Sequence, residues 1–161
     1  MIKPILLAED DERDLELTLL ALGSSELANE VIVVRDGAAV LDYLHLRGDW
    51  SDRAPGNPAV ILLDLKMPKV DGLEVLEAMR RSKGLSIVPV VMLTSSQEES
   101  DVLRSYQLGV NAYVVKPVDL DQYLRAVSEL GVFWAMLNEP PPGSLRSRQG
   151  RHPGRPKSEG A

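Results

Sequence analysis

Four short apolar runs in this chain end in polar residues of a kind that does chemistry. Ile5-Leu6-Leu7-Ala8 runs into Glu9-Asp10-Asp11, Val60-Ile61-Leu62-Leu63 into Asp64, Ile87-Val88-Pro89-Val90-Val91-Met92-Leu93 into Thr94-Ser95-Ser96, and Ala112-Tyr113-Val114-Val115 into Lys116-Pro117. Continuous apolar runs of this length suit strands buried on both faces of a parallel sheet, whose carboxyl ends converge on one crevice. Carboxylates gathered there repel one another, by roughly 4 kcal/mol for a pair about 4 Å apart at an effective dielectric near ~20. They therefore call for a cation or a shifted protonation state. Lys116 supplies one positive charge. The chain has no cysteine and only two histidines, His45 and His152, so any further cation must be held by oxygen, and oxygen ligation points to Mg²⁺. A carboxylate beside Mg²⁺, a lysine and a hydroxyl has the parts for phosphoryl transfer to an aspartate. Asp64 would attack, the metal and Lys116 would neutralise the phosphoryl oxygens, and Thr94 would donate a hydrogen bond to the product. Taken singly, a strand-end Asp is usually a helix cap, such a Thr a turn residue and a lone Lys solvated. Their conjunction at four strand ends favours the chemical reading.

These residues need elements to hold them. Between the runs lie amphipathic stretches. Leu15, Leu19 and Leu22 keep helical spacing from Glu12 to Gly23; Val40, Leu41 and Leu44 follow Asp36-Gly37; Leu73, Val75, Leu76 and Met79 follow Asp71 and stop near Lys83-Gly84. A weaker helix is expected over 100–108, carrying Val102, Leu103, Tyr106 and Leu108 and stopped by Gly109. A long one opens at Asp119, with Leu120, Leu124, Val127, Leu130 and Trp134 as its core stripe. Val31-Ile32-Val33-Val34 is a further strand, and the fourth in order is expected to begin early, at Ile87-Val88-Pro89. The segment 47–57 is a loop longer than the usual connection, expected to extend the edge of the domain. Five strands alternating with five helices imply βαβ units and right-handed crossovers. The expected fold class is α/β, a doubly wound five-stranded parallel sheet of the flavodoxin-like kind, with its switch point beside the first strand.

At 161 residues and 17.7 kDa the chain suits one packed domain, expected over 1–137, and a tail over 138–161. The tail carries Pro140-Pro141-Pro142-Gly143 near its start and is rich in Pro, Gly and Arg, so it is expected to be disordered. No apolar run reaches the roughly 18 residues of a membrane span, and Glu9-Asp10-Asp11-Glu12 interrupts any signal-like start, so cytoplasmic residence is expected. The formal net charge is -6, with Arg146, Arg148, Arg151, Arg155 and Lys157 making the tail basic and the body correspondingly more acidic. An acidic body speaks against a DNA-binding domain.

Glu9-Asp10, Asp64 with Lys66-Met67-Pro68 and Asp71-Gly72, Thr94-Ser95, and Tyr113 with Lys116-Pro117 together resemble the receiver domain of two-component response regulators, over about residues 2 to 137. The resemblance implies that Asp64 is the phosphoacceptor. It implies that Asp10, Asp64 and the Lys66 backbone carbonyl bind Mg²⁺, with Glu9 helping through water. Thr94 and Tyr113 become a switch pair, Lys116 and Thr94 contact the phosphoryl group, and the Lys116–Pro117 bond is expected to be cis. Asp11 is expected to cap the first helix. The loop 47–57 and the Phe133-Trp134 ending before a proline run resemble small single-domain regulators paired with phytochrome-type histidine kinases. The expected protein is thus no conventional enzyme but a phosphoacceptor that promotes its own phosphorylation and dephosphorylation. Its expected partners are a sensor histidine kinase and, downstream, a protein contact or phosphotransfer protein.

Rival readings make distinct demands. A haloacid-dehalogenase-type enzyme wants a second Asp two residues after the nucleophile, where Lys66 stands. A dinucleotide-binding protein wants a Gly-rich turn after the first strand, where the acidic cluster stands. A receiver-like binding module that never takes phosphate remains the alternative. Finally, Tyr123, Phe133, Met136 and Leu137 add apolar groups beyond one helical stripe, and they are expected to form a homodimer face.

Overall fold

The structure, a computed structural model, describes residues 2–23, 29–116 and 120–133. Its elements run β1 (Ile5–Ala8), α1 (Glu12–Gly23), β2 (Val31–Val34), α2 (Gly37–His45), a 3-10 turn (Gly48–Trp50), β3 (Val60–Leu63), α3 (Gly72–Arg81), β4 (Val90–Thr94), α4 (Glu99–Gln107), β5 (Ala112–Val115) and α5 (Leu120–Val132). All strand pairs are parallel, in the order β2-β1-β3-β4-β5, so the chain reverses direction across the sheet at β1, where the switch point was expected.

The apolar runs become the central strands because both of their faces are covered. Every residue of β1, β3 and β4 is buried, and Val60, Ile61, Leu62 and Leu63 are each 0% exposed. Alternate side chains feed two cores. On one face Leu6, Ile61, Leu63, Val90 and Met92 meet α2 and α3 through Val40, Leu44, Val75, Leu76 and Met79. On the other, Ile5, Leu7, Val60, Leu62, Val91 and Leu93 meet α1 and α5 through Leu15, Leu22, Tyr123 and Val127. Burying one such side chain contributes about 1.5–3 kcal/mol, so this sandwich dominates the stability of the fold.

Aspartates cap three of the helix starts. Asp11, Asp36 and Asp71 each accept a backbone N–H three residues on, at 2.9, 2.8 and 2.9 Å. The loop 47–57 is ordered: Trp50 packs edge-on against Tyr43 with centroids 5.1 Å apart, and the Arg53 guanidinium lies 4.0 Å above the Tyr43 ring. Arg53 also donates to the carbonyls of Tyr43, Ala54 and Gly56, which closes the loop on α2.

Several expectations shift. The α1 stripe is Leu15, Thr18, Ala21 and Leu22, while Leu19 is 37% exposed, because a hydroxyl-bearing residue occupies the inward position. β4 begins at Val90 rather than Ile87. Pro89 has no N–H for the ladder, and its carbonyl only receives the bond from Ile61. On α4 the buried position is Ser105, and Leu103 and Tyr106 face outward at 57% and 51% exposure. Tyr123, expected on an outward dimer face, is 4% exposed and packs in the core with Val127. The inward stripe of α5 passes through it, and its hydroxyl finds a partner inside. Phe133 is outward, at 48% exposure, whereas Trp134, Met136, Leu137, Pro117 and the tail lie outside the described residues. Among the described residues no helix is long and apolar enough to cross a membrane.

Candidate functional site

Strand register brings the polar residues together. Ala8 pairs with Leu63, so Glu9 and Asp64 are the next residues on adjacent strands; Thr94 pairs with Val115, so Lys116 follows immediately beside it. Backbone bonds continue the ladders past the strand ends, from Asp64 N–H to Ala8 at 3.1 Å and from Lys116 N–H to Thr94 at 2.8 Å. The groups are thereby fixed by the sheet rather than by flexible loops.

Glu9 is 2% and Asp64 7% exposed, while Asp10 points into solvent at the rim. Carboxylate oxygens of Glu9, Asp10 and Asp64 lie within 4.8 Å of one another. Asp64 Oδ1 accepts the Lys66 N–H at 3.3 Å, which orients the carboxylate and places Lys66 at the same rim. This is a hard-oxygen donor set of the sort a small divalent cation takes.

The Lys116 ammonium closes the cluster. Its Nζ donates to Glu9 Oε2 at 2.7 Å, to Asp14 Oδ2 at 2.9 Å and to Asp64 Oδ2 at 2.9 Å. An ammonium has three N–H groups, and all three are taken. Burial alone would lower its pKa, but the hydrogen bonds it donates to Glu9 and Asp14 and the Asp64 charge outweigh that and raise it, so Lys116 stays charged. Glu9 is pushed up to about 7, by burial first, with the Lys116 hydrogen bond opposing and the Asp64 charge adding. Burial is thus the larger influence on Glu9, and one ammonium shared among three carboxylates does not offset it.

Two glycines permit the geometry. A methyl group on Gly72 would overlap the carbonyl oxygen of Asp64, and one on Gly37 would overlap that of Val70. Gly72 is the first residue of α3, bonded through its N–H to Leu65 at 2.7 Å, and glycine is needed there for close approach to the strand that bears Asp64.

Thr94 is 1% exposed, and its Oγ1 accepts the Ser96 N–H at 3.2 Å, which leaves the hydroxyl proton available to donate. Tyr113 is half-buried, and its hydroxyl donates to the Ser96 carbonyl at 2.9 Å. The two expected switch residues therefore hold opposite ends of one residue, Ser96, whose own hydroxyl bonds to Asp101 in α4 at 2.6 Å. Ser96 and Asp14 are the residues that sequence reasoning missed. Asp14, three residues after the cap Asp11, reads as an ordinary first-turn acid of α1.

A cavity of about 360 Å³ lies elsewhere, lined by Ile2, Pro4, Tyr43, Trp50, Arg53 and Asn57 among others. Its lining residues precede β1 and β3, so it opens at the amino ends of the strands, away from the carboxylates.

Comparison with known proteins agrees with this geometry. The response regulator receiver domain family matches residues 5–128. The chain is 40% identical over 132 residues to Response regulator Rcp1 of Synechocystis sp., covering 82% of this chain and 88% of that protein. It resembles the solved structure of the bacteriophytochrome response regulator RtBRR, with 70% identity, a TM-score of 0.72, and coverage of 89% of this chain and 87% of the other. The phosphorylated cyanobacterial phytochrome response regulator RcpA matches with 38% identity and a TM-score of 0.80 over 88% and 99% of the two chains. The Mn²⁺-bound form of Rcp1 matches with 39% identity and a TM-score of 0.79 over 86% and 99%.

Proposed function

We propose that this chain, which belongs to the response regulator receiver domain family, takes its phosphoryl group on Asp64 from a phytochrome-type sensor histidine kinase. The observation that carries this reading is the convergence of Asp64, Lys116 and the Glu9-Asp10 pair at the carboxyl ends of β3, β5 and β1. Asp64 Oδ attacks phosphorus, the P–N bond of the phosphohistidine breaks, and the imidazole nitrogen leaves with the bonding pair. Lys116 neutralises charge on the phosphoryl oxygens, and the Thr94 hydroxyl donates a hydrogen bond to one of them. Asp10, Asp64 and the Lys66 carbonyl are the residues that would hold Mg²⁺, with Glu9 acting through water. When bound, the metal supplies further positive charge against the phosphoryl oxygens.

Inward movement of the Thr94 hydroxyl would release Ser96, and with it the anchor of the Tyr113 hydroxyl and of Asp101. That biases the face built from α4, β5 and α5 between two arrangements. Outward Leu103 and Tyr106 give this face an apolar surface to present to a partner. We further propose that the chain pairs with a second copy through the end of α5, with Phe133, Met136 and Leu137 contributing and Tyr123 excluded by its burial. The domain boundary near 137, and a tail that does not take part in phosphorylation, belong to the same proposal.

The kinase assignment is supported by the likeness to regulators described as a cyanobacterial phytochrome response regulator and a bacteriophytochrome response regulator. The test is phosphotransfer from a radiolabelled, autophosphorylated phytochrome-type kinase, run beside an unrelated sensor kinase. Rapid transfer from the former to wild type but not to Asp64→Asn is expected. Equal rates from both kinases would remove the phytochrome assignment, and transfer to Asp64→Asn would remove Asp64.

A further inference from the structure

Of the three carboxylates that hold Lys116, two have another claim on them. Glu9 and Asp64 belong to the cluster suited to a divalent cation, together with Asp10. Asp14 does not, and its Oδ2 is 2.9 Å from the Lys116 Nζ. A carboxylate drawn to a cation has less electron density and a different orientation to offer an ammonium. The lysine's one undivided acceptor is thus Asp14. Its placement is secured from behind. Thr18 Oγ1 donates to the Asp14 backbone carbonyl at 2.8 Å and sits 2.6 Å from the Tyr123 hydroxyl of α5, in a site where Thr18 is 1% and Tyr123 4% exposed.

We propose that Asp14 is a positioning residue for phosphoryl transfer: it keeps the Lys116 ammonium aimed at the phosphoryl group while Glu9 and Asp64 are engaged elsewhere. This rests on the reading of Lys116 as the phosphate-contacting lysine. The residue acts through Lys116 and touches neither the phosphoryl group nor the cation. Its loss therefore lowers the rate of the phosphoryl-transfer step and leaves metal affinity in place. With Asp14 gone, the ammonium keeps only partners that the cation also uses, and it spends more time away from the reacting oxygens.

The experiment measures phosphorylation rate across a range of phosphoramidate concentrations and, separately, Mn²⁺ affinity by electron paramagnetic resonance without phosphodonor. Asp14→Asn should lower the saturating rate about tenfold, the scale of one charge-assisted hydrogen bond, with half-saturating phosphodonor and Mn²⁺ affinity within about twofold of wild type. Asp14→Glu should recover most of the rate. Glu12→Gln is the control for lost negative charge at the start of α1: Glu12 is also in the first turn but pairs with Arg35, and this variant should behave as wild type. A wild-type or faster rate for Asp14→Asn beside a slow Lys116→Gln overturns the inference and spares the lysine. A wild-type rate for Lys116→Gln overturns the reading beneath it. Equal slowing by Asp14→Asn and Glu12→Gln assigns the effect to the helix end and overturns the positioning role.

Discussion

Replacing Tyr123 by Phe removes one buried hydroxyl and leaves the ring in place, which makes the α1–α5 contact a measurable quantity. Thr18 Oγ1 carries a single proton and gives it to the Asp14 carbonyl, so at the 2.6 Å contact the Tyr123 hydroxyl must be the donor. In Tyr123→Phe, Thr18 keeps its own donor bond, no buried donor is orphaned, and the loss is one neutral hydrogen bond, about 1 kcal/mol. Thr18→Val keeps the shape of the residue but strands the tyrosine hydroxyl, buried and without its acceptor, and should cost about 2–3 kcal/mol. The double variant strands nothing and should be more stable than Thr18→Val alone. Urea denaturation reads this directly. At an m-value of roughly 2 kcal/mol/M the midpoint should fall by about 0.5 M for Tyr123→Phe and by more than about 1 M for Thr18→Val. Effects that simply add in the double variant would refute the pairing, because uncoupled sites add.

Three further outcomes follow from the same geometry. Gly72→Ala should lose about 2–3 kcal/mol in denaturation and slow phosphorylation, since its methyl group can only be housed by displacing the Asp64 backbone, whereas Gly23→Ala, with nothing nearby, should be neutral or stabilising. Metal-free protein holds a proton on Glu9 up to about pH 7. A divalent cation favours the ionised form, so calorimetric affinity for Mg²⁺ should rise as pH increases between about 6 and about 8, with proton release on binding below about pH 7; a flat profile would exclude Glu9. In sedimentation at micromolar concentration, wild type should run as a dimer and Phe133→Asp as a folded monomer, and a monomeric wild type with and without phosphorylation would end the dimer proposal.

The sheet and the convergence of polar groups at its strand ends were legible because they depend on the coarsest signals in a sequence. A run such as Val60 to Leu63 can only be a strand with both faces covered, and a carboxylate at its end has one place to go. Contacts between helices were less legible. Thr18 lies on the buried face of α1 because its hydroxyl is satisfied by Asp14 and Tyr123, and no hydropathy pattern announces a satisfied polar group, so Leu19 was placed inward in its stead. Tyr123 was misplaced for the complementary reason. Asp14 was missed because it meets Lys116 across 102 residues of chain, a proximity set by how α1 leaves β1 and how β5 ends beside it. On α4, Leu103 and Tyr106 suggested a packed stripe, yet the residue that fits against the sheet is Ser105, small and bonded to the Asp101 carbonyl at 2.7 Å.

The central claim is that Asp64 takes the phosphoryl group with the help of a divalent cation. Intact-mass spectrometry after incubation with a small phosphodonor and Mg²⁺ tests it most directly. Wild type should gain one phosphoryl group, a gain strongly slowed by a chelator, and Asp64→Asn should gain none. Phosphorylation of Asp64→Asn at the wild-type rate, or an uptake indifferent to the chelator, would contradict the account.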